Sequence, residues 1–173
     1  MKHLLAAALL VPTLALAQVP EPADFHGEPY KSPVPATLAG AVVIDDAQAR
    51  ALHDAAVPFL DVLPRQTRPK GLPEGTVWVE KPHASIPGAV WLPNTGYDRL
   101  NPTEEARLRD GLARAAPDKV APVVIFCRAD CWMSWNAARR AIGWGYSGVH
   151  WYPGGTDGWS AAGGSLVTVQ PVE

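Results

Sequence analysis

The chain has only two cysteines, Cys127 and Cys131, set in the stretch Phe126-Cys127-Arg128-Ala129-Asp130-Cys131-Trp132-Met133-Ser134-Trp135. Pro122–Phe126 reads as the most apolar strand of the chain, and a helical pattern runs from about Ser134 to Trp144, where Gly145 ends it. Cys127 therefore falls where a buried strand hands over to a helix. Unpaired amide N–H groups in such a turn form a concave anion site, and the helix dipole favours negative charge there. Both effects lower a thiol pKa from its free value of ~8.5 and raise the fraction of attacking thiolate. Cys127 is on these grounds the candidate nucleophile, against the plainer reading of a small buried hydrophobe. Cys131 reads equally as a resolving thiol or as the partner of a structural bridge. Only one intramolecular pairing exists, and its loop is too small to constrain the unfolded chain much. Arg128, Ala129, Asp130, Trp132, Met133 and Ser134 complete the candidate substrate-contacting loop, with Arg128 steering and Trp132 and Trp135 walling or packing the site.

Other chemistries fit the residues poorly. Structural zinc needs four clustered ligands, whereas His26, His53, His83 and His150 are scattered and the two Cys stand alone. A thioredoxin-type pair has two intervening residues, and this pair has three. Haem attachment needs His after the second Cys, and here Trp132 follows. No metal or cofactor is expected. Asp61 reads as a residue that ties down a loop, Asp157 as a turn or cap residue, and Arg139 and Arg140 as a solvated helix face.

The elements that must position this turn follow from periodicity. Ala41–Ile44, Val57–Val62, Ala89–Leu92, Pro122–Phe126 and Val149–Tyr152 read as short strands, with Thr76–Val79 as a piece of an edge hairpin. Asp45 or Asp46 caps a helix running to about Ala55. Asn101-Pro102-Thr103-Glu104 opens another: Asn is a strong cap, Pro suits the first helical position, and Glu104 lies three after the cap. Leu108, Leu112 and Ala115 supply its stripe, and Pro117 ends it. Gly154-Gly155 opens a final turn. Alternation of apolar strands with helices predicts an α/β fold with a mainly parallel central sheet flanked by helices. Ligands of such sheets sit outside the carboxyl ends of the strands, where Cys127 lies.

Residues 1–17 have the pattern of a secretory signal peptide: Lys2, an apolar run from Leu4 to Leu16 and a small-x-small site at Ala15-Leu16-Ala17. The expected destination is the periplasm. Residues 18–40 carry five prolines, Pro20, Pro22, Pro29, Pro33 and Pro35. They form an extended leader that either wraps the domain or stays partly disordered. Residues 41–173 form the domain. The formal charge of −2 and the lack of basic runs give no footprint for nucleic acid. No later apolar run approaches bilayer length, so no membrane insertion is expected after cleavage.

Several spaced motifs resemble the rhodanese-like family. They are Leu60-Asp61-Val62, Ser85-Ile86-Pro87-Gly88-Ala89, Cys127 with Ala137-Ala138-Arg139, Gly145-Tyr146, and Gly154-Gly155 before Trp159. The likeness spans about 40–165. Asp130–Ala138 and Trp151–Trp159 are similar to an exported subgroup named for a Cys-pair-Trp motif and associated with PQQ-dependent alcohol catabolism. The resemblance implies a sulfurtransferase that forms a persulfide on Cys127. Its partners would be a small sulfur-containing substrate or a partner-protein thiol, in the setting of a PQQ-dependent dehydrogenase system. It leaves open a Cys127/Cys131 thiol–disulfide protein and a non-catalytic binding module for a quinoprotein. The family loop ends in an Arg that neutralises an anionic donor, and the matching position here is near Trp132 or Met133. Asp130 adds a carboxylate to the expected anion cradle, which disfavours a dianion such as thiosulfate and suits a less charged donor. Phosphatases of the same fold need Arg six after the Cys, where this chain has Met133.

Overall fold

The computed structural model describes residues 18–173; the signal-peptide expectation for 1–17 lies outside them. The elements in chain order are β1 (Val42–Val43), α1 (Asp46–Asp54), β2 (Phe59–Asp61), β3 (His83–Ser85), β4 (Val90–Trp91), α2 (Pro102–Ala115), β5 (Val123–Phe126), α3 (Trp132–Gly143), β6 (Val149–Tyr152), α4 (Gly155–Ala161) and β7 (Val167–Val169). Five strands form one parallel sheet in the order β1-β6-β5-β2-β4. The expected α/β architecture is the observed one. β5 sits at the centre, paired on one edge with β2 and on the other with β6, and all four of its residues are buried.

Two apolar layers hold helices to the sheet. Val123, Ile125, Val149 and Trp151 pack with Leu108 and Leu112 of α2 and with Trp135, Ala137, Ala138 and Ala141 of α3. Val124, Phe126 and Tyr152 turn to the opposite face, against Ala49 of α1 and Trp159 of α4. This is the two-residue period of a strand buried on both sides. The α2 cap forms as read: Asn101 Oδ1 accepts from the amides of Thr103 and Glu104, both at 3.0 Å. The Glu104 carboxylate accepts in return from the Asn101 amide. Asp45 caps α1 through a reciprocal box with Gln48.

Three expectations are corrected. Thr76–Val79 is not a strand; Val77 and Val79 face solvent, so no neighbour repays ordering their backbone. The second sheet is instead an antiparallel pair of β3 and β7. Gly154-Gly155 opens α4 rather than a bare turn. Arg139 and Arg140 are not a solvated face. Arg139 donates to the carbonyls of Pro22 and Ala23, and buried Arg140 donates to the Asp98 carbonyl at 2.6 Å. The leader supplies the Arg139 acceptors and lays Phe25 against both guanidinium groups, the chain after β4 supplies the Arg140 acceptor, and burial lowers the Arg140 pKa.

Candidate active site

Alternation along β5 decides where the sulfur points. Val123 and Ile125 face α3, and Cys127 continues that series into the same apolar layer. Its Sγ is thereby delivered beneath the N-terminus of α3, where Cys131 holds the N-cap position with extended backbone. The two cysteines are joined as a disulfide, their Cα atoms 6.3 Å apart. Cys127 is 0% exposed and Cys131 5%. That small difference has a direction, because Cys131 lines an open cleft and Cys127 does not.

The cleft measures about 250 Å³ and is lined by Glu28, Tyr30, Lys31, Leu63, Pro64, Tyr97, Arg128, Cys131 and Met133. One wall is the leader. Lys31 and Cys131 lie opposite each other in an antiparallel bridge. The Trp132 amide donates to the Tyr30 carbonyl at 2.9 Å, and the Ser32 amide donates to the Asp130 carbonyl at 3.1 Å. His26 stacks on Trp132 with ring centroids 3.9 Å apart, and Trp132 Nε1 donates to Ser32 Oγ. Asn136 of α3 holds His26 by both backbone groups. Burial and a hydrogen bond to Asp98 push the Tyr30 hydroxyl up to about 12. The same bond holds the Asp98 carboxyl below its ordinary range.

The loop between the cysteines is braced from the other side by α4. Arg128 bridges Gly155, whose φ of 53° lies in the left-handed region. A Cβ there would meet the Arg128 Cα at 2.7 Å and the Cys127 carbonyl oxygen as well, so only glycine lets the loop approach. The Thr156 amide donates to the Cys127 carbonyl, and Asp157 accepts from the Ala129 amide at 3.2 Å. Asp157 therefore braces the loop between the two cysteines.

Each candidate loop residue now has a place. Arg128 stands exposed on the cleft rim and Met133 forms part of its lining. Ala129 is spent on bracing: its amide serves Asp157 and its carbonyl accepts from Lys31 Nζ. Asp130 adopts a left-handed φ of 49°. Its carboxylate faces solvent 3.9 Å from Lys31 Nζ, so it does not sit within the cradle as expected. Trp132 is buried under His26 rather than walling the cleft. Ser134 is fully buried, donating to the Cys131 carbonyl and accepting from Trp151 Nε1. The expected ring of free amides is also revised. The Ala129 and Trp132 N–H groups are already paired, because Asp157 and the leader reach them first.

Sequence reasoning missed Glu28, Tyr30, Lys31, Leu63, Pro64 and Tyr97. Leu63 and Pro64 had a usable signal, since they follow the carboxyl end of β2, next to β5. The leader residues had none, because a proline-rich stretch carries no periodicity that says where it docks.

The match to known proteins agrees with this geometry. A family model described as the rhodanese-like domain matches residues 44–162. The chain belongs to the rhodanese-like domain family. Among solved structures, this rhodanese-like domain is similar to a thiosulfate sulfurtransferase from Pseudomonas aeruginosa, at 22% identity and a TM-score of 0.51. That alignment covers 76% of this chain and 21% of the other, so the chain spans about a fifth of that protein's length. A rhodanese-like domain from Anabaena sp. aligns at 19% identity and a TM-score of 0.47, covering 75% of this chain and 84% of that one. The first of these likenesses shows the fold. No curated protein sequence gives a significant match.

Proposed function

We propose that this protein is an exported sulfurtransferase of the rhodanese type, in which Cys127 takes up a sulfane sulfur and Cys131 resolves the persulfide. The observation that carries the reading is the bonded pair itself: Cys127 at the carboxyl end of the central strand, Cys131 at the cap of the following helix. In the reduced protein the Cys127 thiolate attacks the outer sulfur of a sulfane donor. The donor's remaining thiolate leaves with the bonding electrons. The Cys131 thiolate then attacks Cys127 Sγ, and the Cys127–Cys131 bond forms as hydrosulfide departs with the electron pair. The sulfane sulfur is reduced and the two thiols are oxidised, so no outside oxidant enters. Without the family's loop Arg, a donor of low charge suits the site better than a dianion.

Lys2, the apolar run 4–16 and Ala15-Leu16-Ala17 support export to the periplasm. The Asp130–Ala138 and Trp151–Trp159 segments support a setting beside a PQQ-dependent dehydrogenase system. Cell fractionation with sequencing of the mature N-terminus tests the first, and loss of alcohol-dependent growth on gene deletion tests the second.

Intact mass of the reduced protein mixed with a small organic persulfide tests the chemistry. Cys131→Ser gains one sulfur and keeps it, and Cys127→Ser gains none. Wild type releases sulfide and finishes two hydrogens lighter. Failure of Cys131→Ser to take up sulfur overturns the proposal. The closed disulfide favours one second reading, a dithiol redox couple; it predicts the loss of two hydrogens under mild oxidant with no release of sulfide from persulfide.

A further inference from the structure

Attack on a disulfide is an in-line displacement, so the attacking, central and leaving sulfurs lie near one line. The open space must then adjoin the sulfur that is attacked, on the side away from its partner. In this oxidised state only Cys131 forms part of the cleft surface, at 5% exposed, whereas Cys127 is wholly covered.

We propose that the oxidised protein is reopened through Cys131, by a small organic thiol seated in the cleft. This rests on the reading that the disulfide belongs to the working cycle. The incoming thiolate bonds to Cys131 Sγ as the Cys131–Cys127 bond breaks, and Cys127 leaves with the electron pair as a thiolate. The product is a mixed disulfide on Cys131, with Cys127 freed at the strand end beside the α3 N-terminus, where negative charge is favoured. The two cysteines thus divide the cycle: Cys127 is the sulfur-accepting end and Cys131 the reductant-accepting end.

The cleft also sets the size of the reductant. Its volume of about 250 Å³ falls just under the ~300 Å³ at which pockets for drug-sized ligands begin. Tyr30, Tyr97, Leu63, Pro64 and Met133 give it apolar and aromatic walls. The charges at its rim are mixed: Arg128 and Lys31 against Glu28, with Lys31 already held by the Ala129 carbonyl and near Asp130. Shape and thiol chemistry, rather than one sign of charge, define what enters.

The test uses the oxidised mature protein, 2-mercaptoethanol as the probe and iodoacetamide present throughout to cap each thiol as it is freed. Trypsin cuts after Lys119, Arg128 and Arg139, so Val120–Arg128 and Ala129–Arg139 each carry one cysteine. The expected result is the probe on Ala129–Arg139 and the alkyl cap on Val120–Arg128, with the reverse pattern at least about tenfold rarer. An even split, the probe on Val120–Arg128, or no adduct at all overturns the proposal. Sulfur uptake by the reduced protein, which depends on Cys127 alone, reports separately on whether the underlying sulfurtransferase reading survives.

Discussion

β2 and β5 are neighbours in the sheet, and each carries a reactive group at its carboxyl end, Asp61 on one and Cys127 just beyond the other. Both groups are fully buried. They differ in what surrounds them. The Asp61 carboxylate accepts from His83 Nε2 at 2.7 Å, Ser85 Oγ at 2.5 Å and the Leu63 amide at 2.9 Å. Its lone pairs are spent on fixing β3 and the chain after β2. Cys127 is bonded to Cys131, and Cys131 lines the cleft. A strand end in this fold is a place where chemistry is possible; the neighbouring donors decide whether it becomes a brace or a site.

Removing the brace carries the largest expected cost. Asp61→Ala leaves the His83 and Ser85 donors without their buried acceptor, and breaking such a buried network costs about 3–5 kcal/mol. Urea denaturation measures it, and persulfide formation per folded molecule stays close to wild type. A variant that folds normally but takes up no sulfur would erase the contrast between the two strand ends.

Opening the disulfide costs less. A loop this short loses about 2 kcal/mol of chain-entropy stabilisation on reduction, read as a modest drop in urea midpoint with dithiothreitol. Collapse of the fold on reduction would mean that the bridge is the brace and Asp61 is not.

His26→Ala removes the stack on Trp132 and costs about 1 kcal/mol. The sharper readout is faster tryptic cleavage at Lys31 as the leader loosens from the loop, and unchanged cleavage there would show that the stack fastens nothing.

The smallest effect is one of pH. Tyr30 has its folded-state pKa raised from an ordinary 10.0 to about 12, by burial and then by Asp98. Its contribution is complete below pH 10 and fades as pH climbs through about 12. Asp98 is shifted the opposite way from its ordinary 3.8, so its share is present above that value and is lost as acid protonates it. Tyr30→Phe should flatten the alkaline limb of stability against pH, and parallel limbs in the two proteins would sink this assignment.

The parts of the molecule legible in the sequence are those whose physics is local. The Asn101-Pro102-Glu104 cap and the apolar run of β5 each specify their own conformation, and together they locate Cys127. Non-local partners were not legible. β7 is a short, largely exposed strand that exists because β3 pairs with it. Arg139 and Arg140 look like a charged outer face until Pro22, Ala23 and Asp98 supply acceptors. The missing half of the cleft comes from the leader, whose prolines prescribe an extended path but not the surface it follows.

The docking of that leader also governs the order in which the protein can be assembled. His26 and Asn136, which lock it to α3, are 110 positions apart in the chain. Ribosomal synthesis delivers His26 long before its receptor exists, and contacts of such separation close slowly. The wall of the cleft that carries Glu28, Tyr30 and Lys31 therefore cannot close until α3 has been made to receive the leader.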